Sequence, residues 1–144
     1  MPISWNEIKH RAMDFSREWK DENRERAESQ SFWNDFFNIF GVNRRRVASF
    51  EEPVKNLDDN YGFIDLFWKG TLLVEHKSRG EDLNKAYSQG LDYFGGLKER
   101  DLPKYVLISD FEQFKLYNLD DDELYEFKLN ELHKNVTLFG FIAG

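Results

Sequence analysis

With 144 residues, 40% hydrophobic and 33% charged, the chain has room for one domain with a single core and too much apolar content to stay disordered. It has no cysteine, which excludes disulfides and thiolate metal sites and fits a reducing, cytoplasmic setting. The start, MPISWNEIKH, is no basic-then-apolar leader, and no apolar run approaches membrane-spanning length. A net charge of −7 argues against a strong autonomous nucleic-acid binder. Residues 110–131 hold eight acidic and two basic side chains, however, so −6 of the −7 lies there and the remainder sums to −1. That remainder carries basic clusters at Arg44-Arg45-Arg46, Lys77 with Arg79, and Lys98 with Arg100.

In chain order, Ser4 and Glu7 form a capping box, and Ile3 and Ile8 a hydrophobic staple, at the start of a first helix. Trp5, Ile8, Ala12, Phe15 and Trp19 keep the helical period. Residues 20–31 are almost wholly polar and either extend that helix into solvent or break it briefly. Phe32, Trp33, Phe36, Phe37 and Phe40 mark a second helix that Gly41 terminates. A short strand is expected near Val47–Phe50 and a turn at Leu57–Asn60. The stretch YGFIDLFWKGTLLVEH then reads as two apolar strands joined near Gly70. Strict alternation sets Phe63, Asp65 and Phe67 on one face, and Ile64, Leu66 and Trp68 on the other. A helix over roughly Glu81–Arg100 follows, with a buried stripe of Leu83, Ala86, Tyr87, Gly90, Leu91, Phe94 and Leu97. A strand at 104–109, a hairpin of 114–118 with 124–129, and a helical, apolar segment at 132–142 complete the chain. The order predicts an α/β fold, a central mixed sheet flanked by helices. We divide it into a helical part, 4–41, a catalytic core, 45–118, and a C-terminal hairpin and helix, 119–142. The apolar ending suggests a piece of a longer polypeptide.

Asp65, Glu75 and Lys77 are charges set into strands that read as buried on both faces, where charge persists only when paired or metal-bound. Two carboxylates and a lysine on neighbouring strands suit phosphodiester hydrolysis with Mg²⁺ or Mn²⁺, which take oxygen ligands and keep several waters. The carboxylates of Asp65 and Glu75, with the backbone carbonyl of His76, form the expected ligand set. Lys77 is placed to orient the attacking water, to assist its deprotonation or to steady charge on the phosphorus. Gln89 and Tyr93, one turn apart on the next helix, are placed to position the scissile phosphate or hold Lys77, with Lys85 meeting a neighbouring phosphate. Arg79 is a second nucleic-acid candidate. A two-residue turn would pair Asp65 with Val74 and put the carboxylates on opposite faces. A single site therefore requires a three-residue loop or a bulge near Gly70.

Asp65, Glu75 and Lys77 in this context resemble the PD-(D/E)xK nuclease signature, with Ile64 where the proline of that name would stand. Gln89 and Tyr93 resemble the QxxxY element of RecB-like members. The stretch FGVNRRRVASFEEPVKN…YVLISDF is similar to the N-terminal endonuclease segment of MmeI-like, type IIL restriction-modification enzymes. The resemblance implies a restriction-endonuclease-like fold, an Mg²⁺-dependent endonuclease leaving a 5′-phosphate, and double-stranded DNA as substrate. It also implies a methyltransferase and a target-recognition domain C-terminal to this segment, and pairing of nuclease domains on DNA. No methyltransferase motif stands in this chain, so no S-adenosylmethionine site is expected in it.

The rival reading is a non-catalytic docking or dimerisation module on the nuclease fold. His76 is read as a structural histidine rather than a side-chain ligand, and His10 and His133 as surface residues. Glu28 is read as a solvated helix charge, with an extra active-site carboxylate as the alternative. The acidic loop at Asp120–Glu123 lacks the glycine and terminal glutamate of a calcium loop and is read as a turn.

Overall fold

The computed structural model describes residues 3–55 and 60–143, the side chain of Arg26 excepted, so positions 57–59 of the expected turn lie outside the described residues. Helix α1 spans Trp5–Trp19 and begins where the Ser4 side chain accepts from the Glu7 N–H at 3.1 Å. It buries Ile8, Ala12, Phe15 and Trp19, the expected stripe. The polar stretch does break the helix, and α2 spans Glu25–Ile39. Gly41, at φ +74°, takes the left-handed conformation that stops it.

Among the described residues six strands follow: β1 Ser49–Lys55, β2 Tyr61–Trp68, β3 Leu72–His76, β4 Tyr105–Ser109, β5 Gln113–Asn118 and β6 Glu123–Lys128. They form one sheet in sequential order. Only the β3–β4 pair is parallel, and helix α3, Leu83–Asp92, lies in the crossover between them. Helices α1 and α2 pack on one face over Leu66, Leu72, Val74 and Leu107, with Phe114 and the rings of Phe32 and Phe36 at the centre. Helix α3 packs on the other face over Ile64, Phe67, Leu73 and Val106. The sheet is thus covered on both sides, which is why β3 is buried at every residue.

Three expectations need correction. Strand β1 is longer and later than expected. Its Glu51-Glu52-Pro53 run reads as a break, but β1 is an edge strand, where proline and charge are tolerated. The helix expected over 81–100 stops at Asp92, after which the chain tightens into 3₁₀ turns at Tyr93–Gly96 and Glu99–Asp101. The C-terminal segment is a series of 3₁₀ turns, Leu129–Lys134 and Val136–Phe139, ending in a short α4, Gly140–Ala143. No described helix is long and apolar enough to cross a membrane.

The strict alternation along β2 also fails, at an informative place. Leu66 lies in the core under α1 and α2, Phe67 in the core under α3, yet Ile64 joins Phe67 rather than Leu66. In β1, Phe50 packs with the first core and Val54 with the second. The pairing register stays constant through this region, with Phe50 opposite Leu66 and Glu52 opposite Ile64, while the pair Glu51–Asp65 between them is missing. Glu51 has φ +50°, and this left-handed residue rolls the two-stranded ribbon over. Beyond the roll, Tyr61 and Phe63 face solvent, 75% and 59% exposed.

Candidate active site

The β2–β3 connection settles the register. Leu66 pairs with Val74, Phe67 with Leu73 and Trp68 with Leu72, leaving a three-residue loop, Lys69–Thr71. Gly70 adopts φ +74° in that loop, and its N–H donates to the Asp101 carbonyl at 2.9 Å. One more step of this register sets Asp65 across from Glu75, the geometry that a single site requires. Backbone pairing ends one residue short of this point. There the Asp65 carboxylate reaches across and accepts from the His76 N–H at 2.7 Å. The strands open, and a side chain takes the bond that the neighbouring backbone has given up.

Glu75 is 4% exposed, and its carboxyl is pushed up to about 10. Burial is the main cause, followed by the charge of Asp65 and a hydrogen bond with it, while Lys77 opposes the shift. Without a cation the pair therefore holds a proton near neutral pH. Lys77, half-buried, shares the α3 side of the strand with Glu75, and its N–H donates to Ser109 at 2.8 Å. His76 between them points the other way. Its Nδ1 accepts from the Trp33 indole at 3.0 Å, its Nε2 finds no partner, and burial lowers it to about 3. It is a neutral structural histidine whose side chain cannot ligate on the carboxylate side.

Helix α3 lies close over this strand because Gly90 allows it. A Cβ there would sit 3.1 Å from Leu73 and 3.8 Å from the Glu75 Cγ. Tyr93, just past the helix, reaches the site. Its hydroxyl bonds the Phe63 backbone, and its pKa is raised by burial and then by the charges of Glu75 and Asp65. Its ring covers Gly62, where a Cβ would lie 2.7 Å from it. Gln89 and Lys85 are exposed on α3, one and two turns earlier, and share the helix but no hydrogen bond with the carboxylates.

Arg79 is spent elsewhere. Its guanidinium donates to the carbonyls of Lys20 and Glu22, each at 2.8 Å, and pairs with Glu112 at 3.1 Å. It ties the α1–α2 link to the β4–β5 turn. The helical carboxylate at the site is Glu25 rather than Glu28. Glu25 opens α2, accepts from the Ser78 hydroxyl at 2.7 Å, and its charge contributes to the shift of Glu75. Glu28 pairs with Arg24. Both sit in an almost wholly polar run, so no sequence signal separates them.

The donor set suits a hard divalent cation. A carboxylate pair that retains a proton, with Glu75 buried and Asp65 half-buried, is short of positive charge, which a divalent cation would supply in the proton's place. Among the described residues no group of three or more His, Asp or Glu side chains could hold a metal ion. Two carboxylates with open positions match a cation that keeps its waters.

A family model for the MmeI N-terminal domain matches residues 10–144. The chain belongs to the MmeI N-terminal domain family. No curated protein matches it. Among solved structures, the cryo-EM DrdV–DNA complex is similar, with a TM-score of 0.55 and 15% identity over 96% of this chain. The present chain spans 13% of the length of that chain. At this identity the likeness establishes a shared α/β fold, a mixed sheet flanked by helices, and nothing finer.

Proposed function

We propose that this domain is the Mg²⁺-dependent endonuclease of a longer restriction-modification polypeptide, hydrolysing phosphodiester bonds in double-stranded DNA. The observation that carries this reading is the buried Glu75 carboxyl facing the half-buried Asp65, in the register set by the three-residue loop, with Lys77 beside it. A docking module gains nothing from a carboxylate whose burial costs it its charge, so the pair favours catalysis over the non-catalytic reading.

Asp65, Glu75 and the His76 carbonyl would hold the cation. When bound, it polarises the phosphate and lowers the pKa of water. The His76 N–H fixes one oxygen of Asp65 and leaves the other for ligation. Lys77 sits where its ammonium offsets the carboxylates and can donate to a phosphate oxygen or to the attacking water. Tyr93 covers one wall of the site, and Gln89 faces solvent one turn away, in position to meet the incoming strand. Glu25 holds Ser78, the residue after Lys77, and so steadies the lysine-bearing turn. Water attacks phosphorus, the bond to the 3′ oxygen breaks, and the products are a 5′-phosphate and a 3′-hydroxyl.

The test is cleavage of plasmid DNA with Mg²⁺ by the polypeptide that carries this domain, comparing wild type with Asp65→Ala and Lys77→Ala. Loss of cutting with DNA binding retained is the expected result; undiminished cutting by both variants would overturn the assignment.

A further inference from the structure

The fold gathers basic residues that are scattered in sequence. Arg45 and Arg46 share an open groove with Lys69 of the β2–β3 loop. The same loop is bonded to the stretch after α3. Gly70 donates to the Asp101 carbonyl at 2.9 Å, Lys104 donates through its N–H to the Thr71 carbonyl at 3.1 Å, and Lys98 and Arg100 border the surface alongside. All six of these basic side chains are exposed, and among the described residues none makes an ion pair. Arg44 is different. Its guanidinium bonds Asn34 and the Ala48 carbonyl and lies over the Phe50 ring, so it belongs to the fold. Segments 45–46, 69–71 and 98–104 carry six cations against Glu99 and Asp101, a net of +4 on a chain of −7.

This basic end lies along the strands from the carboxylates. Lys69, the first loop residue after β2, is four residues beyond Asp65, roughly 13 Å at strand rise. That is close to the width of the DNA major groove, about 12 Å. A phosphate at the carboxylate pair therefore brings a phosphate across the groove to Lys69 and its neighbours. We infer that the basic end of the sheet formed by Arg45, Arg46, Lys69, Lys98, Arg100 and Lys104 is a second contact surface for the DNA backbone, gripping the duplex one groove away from the scissile bond. The inference rests on the nuclease reading for its choice of partner. Charge complementarity supplies the rest: free cations gathered on an otherwise acidic domain meet phosphate without sequence preference.

The experiment uses the full chain, a fluorescein-labelled 30-base-pair duplex and anisotropy at a series of NaCl concentrations. The triple variant Arg46→Gln, Lys69→Gln, Arg100→Gln is compared with a charge-matched control, Lys9→Gln, Lys20→Gln, Lys134→Gln. The first should reduce the salt slope by about 2.7, or 0.9 per lost phosphate contact, and weaken binding at low salt by about tenfold or more, while the control stays near wild type. Equal losses in both triples, no loss in the first, or no duplex binding by wild type would each overturn the inference. Binding through this end by a protein in which Asp65→Ala does not affect cleavage would instead sink the nuclease assignment and leave the surface standing.

Discussion

Glu75 concentrates the energetics of the site in one side chain. Its folded-state value near 10 lies above the ordinary 4.5, so the folded protein binds this proton more tightly than the unfolded chain does. The resulting stabilisation is complete below about pH 4.5 and is lost as pH rises towards 10. Over that window stability should fall with pH, by at most about 1.4 kcal/mol for each unit. Glu75→Gln should flatten the slope and be more stable than wild type at pH 8 by roughly 1–3 kcal/mol, while losing all cleavage. Urea unfolding at several pH values checks both halves. Trp33→Phe probes the opposite side of β3. It leaves the buried His76 Nδ1 without its donor, and the expected cost is about 1–3 kcal/mol in the same unfolding experiment. The candidate residues Asp65, Glu75 and Lys77 were legible because charge inside an apolar strand is conspicuous. Glu25 was not, because a carboxylate in a polar helix start looks like any other and only the tertiary path brings it to Ser78.

Among the elements, those with clean periodicity were legible and those that depend on neighbours were not. Helix α1 and the β2–β3 pair follow from their apolar spacing, and requiring the carboxylates to meet left a three-residue loop or a bulge near Gly70, of which the fold has the loop. The early end of α3 has a tertiary cause. Gly96 packs so tightly on β1 that a Cβ would lie 2.1 Å from the Lys55 carbonyl, so the chain must turn down onto the strand there. A continuous helix would carry it past. Gly96→Ala should therefore separate the 3₁₀ segment from β1, with a cost of about 1–3 kcal/mol or more in thermal unfolding. The roll of the β1–β2 ribbon was equally hidden, since nothing in Glu51 or its neighbours announces a positive φ. Its effect is to give Tyr93 a bare Gly62 to cover while Asp65 stays beside Glu75.

The whole molecule is a sheet clamped between an aromatic helical layer and a single short helix, with its carboxylates near one end of β3 and its free cations at the other. Near pH 8 the carboxylate pair is the strained part of this arrangement, and a divalent cation should relieve it. Mg²⁺ at 10 mM should raise the melting temperature of wild type at pH 8 by a few degrees (about 4–8 °C for each 1 kcal/mol in a small domain) and leave Asp65→Ala unchanged. Scanning calorimetry with and without the ion reads this directly. Composition had suggested an acidic domain with little affinity for DNA. The fold qualifies that reading, because net charge sums over a surface that folding has sorted by sign.

The loop of three residues also sets an arithmetic for the site. Nine residues separate Asp65 from Glu75: three in the loop and three from each strand. A residue added at the tip can stay in the loop and leave this pairing as it is. A slip of β3 by one residue would instead turn Glu75 toward α1 and α2 and His76 toward α3. The loop is therefore the gauge that keeps both carboxylates on one side of the sheet.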